Sequence, residues 1–261
     1  MVAAMPPLLR DLHDWVNGAD AHVVLVDGDE VLAFAARMRH RAHPQRDLAA
    51  VYPAGSDDAS ALYNAVRGRR NPLKVRIPAD DTAGIAAAIA TGFKERIRSA
   101  TYKVAAYKFT GDTGLAVEAI EGDATREFLD ALAVLYMDSH RWDPPAVLRR
   151  KYVRDAMAAG AQHMALVRDA AGEVIGVGVA HASDDPNVAA DIALVGPLDQ
   201  SHRDADAITR ALLSHLATFY AFGDAPLWFE IDTGEGTNEA LARVVTPHAS
   251  PEEEVVILTS D

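Results

Sequence analysis

Proton transfer and amine recognition need carboxylates, imidazoles and aromatic surface, and three stretches of this chain supply them. Asp191 opens Asp191-Ile-Ala-Leu-Val-Gly-Pro197, a carboxylate at the start of a buried strand and of a type that can take a proton. His181, with Asp184 just beyond it, ends the preceding apolar run and offers a second base. His140-Arg-Trp-Asp143 forms a compact polar and aromatic turn before two prolines. Read as exposed, Trp142 gives contact area and Asp143 a partner for an ammonium group, with His140 beside them. Each has a plainer alternative: Asp191 as a strand-edge cap, His181 and Asp184 as solvated loop residues, and Trp142 as the anchor of a helix corner. His40 and His43 are spaced like metal ligands, but the arginines of Arg37-Met-Arg-His-Arg repel a cation, and no metal site is expected. No Walker loop, His-Glu-x-x-His motif or serine nucleophile elbow occurs.

The elements that must position these groups centre on residues 191–216. Ile192, Leu194 and the small residues between them read as a buried strand, and Pro197 ends it because proline donates no ladder hydrogen bond. Ile208, Leu212, Leu216 and Phe219 then recur at helical spacing, leaving Arg203, Arg210 and His215 to face water. A strand that runs through a short turn into a helix leaves backbone N–H groups free at the turn, the usual basis of phosphate and pyrophosphate binding. The turn is therefore a candidate cofactor loop.

With about half of its 261 residues apolar, the chain has material for two ordinary cores. The absence of cysteine excludes disulfides, thiolate metal sites and a cysteine nucleophile. It fits a cytoplasmic protein, and no apolar run approaches membrane-spanning length. The net charge of −13 is uneven: up to Asp112 there are 15 Lys+Arg against 13 Asp+Glu, and beyond it 10 against 25. The acidic second half argues against a nucleic-acid partner and suits a small-molecule amine, although an acidic surface also serves solubility alone. A homodimer is left open.

The order of the elements repeats. His22-Val-Val-Leu-Val26, a turn at Asp27-Gly28-Asp29 and Glu30-Val-Leu-Ala-Phe-Ala-Ala36 read as a hairpin. Strand Asp47–Val51, helix 58–68, strand 73–77, helix 82–91 and a strand near 100–109 follow, after a short first helix over 7–17. In the second half His163-Met-Ala-Leu-Val167 echoes the first strand, Glu173-Val-Ile the second and Asp191–Pro197 the third. Residues 227–258 lie against 73–104, and the offsets only grow from 141 to 154. A common order of this kind implies two copies of one strand-rich α/β unit. Helices over 124–138 and 146–158, flanking the His140–Asp143 turn, belong to the second copy alone.

Strand, turn, amphipathic helix, Leu227-Trp-Phe-Glu-Ile231 and the helix start at Asn238 together resemble the core of the GCN5-related N-acetyltransferase (GNAT) superfamily. Asp81-Thr-Ala-Gly-Ile-Ala-Ala-Ala-Ile-Ala-Thr-Gly-Phe93 is similar to the segment that closes many members, with Asp81 in place of Asn and Ala88 in place of the tyrosine that protonates the departing thiolate. In the second copy Val245 stands at that tyrosine's place. The family's Arg-x-x-Gly-x-Gly/Ala loop, laid on Arg203, puts Asp206 and Ile208 where glycines belong. Ile208 adds bulk there, and Asp204 and Asp206 add charge.

The resemblance implies an α/β (α+β) protein of two tandem GNAT-like units, with mixed, mostly antiparallel sheets flanked by helices. Residues 1–112 would be the mainly structural unit and 113–261 the likelier active one. It implies acetyl-CoA or another acyl-CoA held by Val195, Gly196, Arg203, Ala205 and Asn238. Asp191 or His181 would be the base, and His140, Trp142 and Asp143 would hold the acceptor amine. The activity implied is N-acetyl transfer to a small metabolite; the alternative is a degenerate member that binds a ligand or partner without transfer.

Overall fold

A computed structural model of the chain describes residues 21–27, 30–39, 47–52, 59–67, 72–143 and 159–260. The helices expected over 7–17 and 146–158, the loop after Tyr52, the turn residues Gly28 and Asp29, Arg69 and Arg70, and His40 and His43 lie outside the described residues. The first half carries β1 (Ala21–Asp27), β2 (Glu30–Arg39), β3 (Asp47–Tyr52), α1 (Ala59–Arg67), β4 (Leu73–Pro78), α2 (Thr82–Ala90) and β5 (Lys94–Val104). The second carries β6 (Val117–Ile120), α3 (Arg126–Ser139), β7 (Ala161–Arg168), β8 (Val174–His181) and β9 (Ala190–Pro197), then α4 (Ala205–Thr218), β10 (Leu227–Thr233), α5 (Glu239–Val245) and β11 (Glu253–Thr259).

The chain forms two compact units, one of residues 1–97 with 255–261 and one of residues 98–254. In the first, β1, β2 and β3 pair antiparallel, and β3 pairs parallel with β4 after the crossover helix α1. A parallel neighbour cannot be reached by a tight turn, so a crossover is obligatory. Leu62, Tyr63 and Val66 of α1 bury against Leu73, Val75 and Ile77 of β4, with Phe93 on the Tyr63 ring at 5.4 Å. Asp81 caps α2 by accepting from Gly84 N–H at 2.8 Å. The helix ends at Gly92 with φ +91, a left-handed geometry that glycine takes without strain.

The second unit has the same order. β7, β8 and β9 pair antiparallel and β9 pairs parallel with β10 after α4, so 73–77 and 227–231 hold the same place in the two units. The last strand of each unit comes from the opposite half of the sequence. Arg98–Val104 of β5 pairs antiparallel with all of β10, while Val255–Thr259 of β11 pairs antiparallel with β4. Residues 98–112, expected with the first unit, thus pack with the second.

Two faces of the second unit's sheet are covered differently. On one, Ile208, Leu212 and Leu216 of α4 pack on Ile192, Leu227, Phe229 and Ile231. Gly176 lets α4 come close, since a Cβ there would stand 2.3 Å from Ile208 Cγ2. On the other, Phe128, Leu132 and Leu135 of α3 pack on Met164, Val177, Val179 and Leu194.

Candidate functional site

Among the described residues, β9 and β10 pair over three rungs, Ala190/Leu227, Asp191/Trp228 and Ile192/Phe229. Beyond that point β9 continues to Pro197 and β10 to Thr233 without further pairing among the described residues, leaving a splay that points toward the start of α4. β9 also holds one extra residue. His181 pairs with Asp191 and Val179 with Leu194, so two steps on β8 match three on β9. Such a bulge turns the strand over. Ile192 accordingly faces the α4 core and Leu194 the α3 core, although alternation would put them on one side. A bulge at the mouth of a splay exposes strand N–H and C=O groups that a ligand lying between the strands can use.

The loop from 198 to 204 joins this splay to α4. Its backbone donors are largely engaged: Gln200 N–H donates to Asp138 Oδ2 (3.2 Å), Ser201 N–H to Asp199 Oδ1 (2.8 Å) and Asp204 N–H to His202 Nδ1 (3.1 Å). The Asp199 carboxyl is held below its usual range by the Ser201 hydroxyl and N–H. The N-cap residue Asp204 makes no side-chain cap bond, and Ala205 N–H donates to His202 O at 3.0 Å. Ala205, one of the expected cofactor contacts, opens the first turn of α4. Arg203 is exposed and leans on Asp204 at 3.1 Å.

Two expectations about this loop are corrected. Ile208 is fully buried in the α4 core, so its bulk does not intrude on the loop. Asp206 is not a bare negative charge: Arg243 of α5 donates to it through Nε at 2.9 Å. The helix register explains both, because a residue one turn into α4 points either into the sheet or sideways onto α5.

Asn238 ties α5 to β9. Its Nδ2 donates to Val195 O at 2.9 Å and its Oδ1 accepts from Leu241 N–H at 3.2 Å, capping the helix as Asp81 caps α2. Gly196 leaves room for it, since a Cβ there would lie 3.2 Å from Asn238 Oδ1. Val195, Gly196 and Asn238, three of the expected cofactor residues, are therefore brought together along the splay.

On the face away from α4, a cleft of about 370 Å³ is lined by Asp191, Trp228, Thr101, Asp184, Glu252 and Glu253, among others. Lys103, which also lines it, bridges Asp185 at 3.5 Å and Glu252 at 3.4 Å. Burial works to lower the Lys103 ammonium, but Glu252 and Asp185 outweigh it and hold it above its ordinary value. Asp191 is half-buried, with His181 directly opposite it on β8 and Trp228 beside it on β10. Both candidate bases thus share one rung of the sheet.

Of the two readings of the His140–Asp143 turn, the buried Trp142 fits and the exposed one does not. Trp142 is not exposed; only 7% of its surface is accessible, and Asp143 is buried still further at 1%. The reason lies in a distant loop. Gly236 accepts from Arg141 N–H at 3.1 Å, and its missing side chain lets the backbone lie where a Cβ would touch Trp142 N at 3.1 Å. His140 stacks on Tyr136 with centroids 4.0 Å apart and shares Nδ1 with Tyr136 O at 2.9 Å. Burial pushes the Tyr136 hydroxyl well above the phenol range, and the carboxylates of Asp143, Asp232 and Glu230 push it further.

Those last two carboxylates escaped the sequence reading. Trp228, Glu230 and Asp232 alternate with the buried Leu227, Phe229 and Ile231, so they share the face turned from α4. Glu230 accepts from the Ser99 hydroxyl at 2.9 Å, and Ser99 is buried. The alternation itself was the available signal. Among the described residues no group of three metal-binding side chains occurs, and no helix is long and apolar enough to cross a membrane.

No protein-family model and no curated protein matches the sequence. Solved structures do match the fold. A GCN5-related N-acetyltransferase from Sphaerobacter thermophilus superposes with a TM-score of 0.59 at 14% identity, over 97% of this chain and 84% of that one. A tandem GNAT protein from the clavulanic acid biosynthesis pathway gives 0.56 at 16% identity, over 99% and 89%. A putative acetyltransferase from Pyrococcus horikoshii gives 0.53 at 11%, over 97% and 76%. The fold is therefore the GNAT fold that these structures share.

Proposed function

We propose that the chain is an acyl-CoA-dependent N-acyltransferase whose second unit acts on a small-molecule amine. The observation that carries this reading is the β9/β10 splay, with its bulge after Asp191 and its open end at the uncapped start of α4. Acyl-CoA fits these residues by chemistry. Its pyrophosphate suits the first-turn N–H groups of α4 near Ala205, with Arg203 beside them, and its amide-bearing arm suits the backbone of Val195 and Gly196. When bound, it supplies an activated acyl group.

The protein's own part is to bind and to move protons. The acid-lined cleft with Trp228 on its floor favours a cationic amine through carboxylate contacts and the indole face. Asp191 and His181 are placed to accept its proton. A cytoplasmic location remains the expectation from the cysteine-free composition.

A second reading, a GNAT-fold module that binds without transfer, is favoured by one observation. Asp138, Asp199 and His202 already accept from loop N–H groups that a pyrophosphate would use. A thermal-shift titration with acetyl-CoA, followed by thiol release on adding primary amines, separates the two. The first reading expects a rise of about 2.7 kcal/mol in stability at a hundredfold excess over Kd, and thiol release. The second expects no thiol release with any amine.

A further inference from the structure

We propose that Glu230, rather than Asp191 or His181, is the general base of this site, held in place by Ser99; the assignment rests on the acyltransferase reading above. Position along the sheet singles out Glu230. An acyl group delivered from the α4 side through the splay reaches the opposite face only where β9 and β10 part, beyond the rung Ile192/Phe229. Asp191 and His181 belong to the rung before that, where the strands are still hydrogen-bonded. The first β10 side chain past the last rung, and on the face turned from α4, is Glu230.

That face is also where the amine arrives. Thr101, the register partner of Glu230 on β5, lines the acidic cleft together with Trp228 and Asp191, so Glu230 stands where cleft and splay meet. Asp191 and Trp228 then hold the ammonium group and Glu230 deprotonates it. The carboxylate takes one proton from the ammonium nitrogen, whose lone pair forms the N–C bond to the thioester carbonyl. The C–S bond breaks, the sulfur keeps its electron pair and takes a second proton from the nitrogen, and Glu230 returns its proton to water. The products are an amide and a free thiol.

Ser99 is a positioning residue. Its hydroxyl donates to Glu230 Oε1 at 2.9 Å from a buried site on β5, and a hydrogen bond to a carboxylate favours the charged, basic form.

The test uses the full chain with acetyl-CoA, and with n-butylamine and phenethylamine as plain and aromatic amine probes. Acetyl-CoA binding and amine binding are measured separately by calorimetry, and thiol release is followed against pH. Glu230→Gln is expected to keep its melting temperature and acetyl-CoA affinity, to bind amine more weakly, to lose about 10²–10⁴-fold in kcat and to lose the acid limb of the pH profile. Asp191→Asn is expected to raise KM for amine and keep that limb. Ser99→Ala is expected to move the limb to higher pH. Should Glu230→Gln be unstable, Glu230→Asp replaces it, with a reduced rate and the limb retained.

Retention of the acid limb in Glu230→Gln, or its loss in Asp191→Asn, overturns the assignment. Acetyl-CoA binding by the wild type with no release of the coenzyme A thiol on adding either amine also counts against it. Absence of acetyl-CoA binding is a different failure, seen before any amine is added, and removes the acyltransferase reading itself.

Discussion

Asn238 reaches from the start of α5 to the carbonyl of Val195, 2.9 Å away, and so fixes the distance between the helix and the free edge of β9. The contact depends on Gly196, where any side chain would begin 3.2 Å from Asn238 Oδ1 and 3.3 Å from its Nδ2. Gly196→Ala is expected to cost about 1–3 kcal/mol through this crowding, measured as a lowered urea midpoint with an unchanged slope. A neutral effect would mean that Asn238 moves freely and does not set the splay.

Trp142→Ala tests the corner formed by the His140–Asp143 turn. With the indole buried against the Gly236 loop, the substitution is expected to cost about 3–5 kcal/mol, seen in chemical denaturation. A stability close to wild type with weakened amine binding would return Trp142 to the role of an exposed acceptor contact.

In the first unit, Arg37 and Asp47 form a buried pair at 2.6 Å, each side chain 8% exposed, and Arg37 Nη1 also donates to Arg67 O at 2.8 Å. Asp47→Ala removes the buried counter-charge while the guanidinium keeps its bonds to Val66 O and Arg67 O, and is expected to cost about 3–5 kcal/mol. A loss under 1 kcal/mol, measured by urea denaturation, would show that water replaces the carboxylate.

These sites show what local sequence can and cannot reveal. Leu227-Trp-Phe-Glu-Ile231 was legible as a strand, though its alternation was not used to separate its faces, and Asp81 and Asn238 announced helix starts that they do cap. The mixed, mostly antiparallel pairing was implied by the family resemblance, not read from the residues themselves. Which edge β5 and β11 join is decided by tertiary partners, and nothing in Arg98–Val104 or Val255–Thr259 names them. Trp142 read as exposed because its neighbours are charged, while the glycine that makes room for its burial lies in a distant loop. Ile208 read as an obstruction because a glycine motif was laid over a residue that points into the core.

The pH dependence of folding should carry the mark of two histidines. His163 stacks on Phe219 at 3.8 Å, and His215 meets the same ring edge-on at 5.5 Å. Burial lowers both imidazoles, and for His163 the neighbouring His215 lowers it further. A base lowered in the folded state is protonated more readily when unfolded. Its contribution is therefore full above the unfolded value, about 6.5, and lost as pH falls through it toward the folded value. Wild-type melting temperature is expected to fall between pH 7.5 and 5.5 more steeply than that of His163→Phe/His215→Leu, and parallel curves would refute this.

Amide hydrogen exchange with and without acetyl-CoA tests the central claim most directly, because it reports which backbone groups the ligand covers. The account predicts added protection at 193–197 along the splay and at the start of α4 near 205–207, with residues 59–91 of the first unit unchanged. Protection confined to the first unit, or no protection at saturating acetyl-CoA, would contradict it.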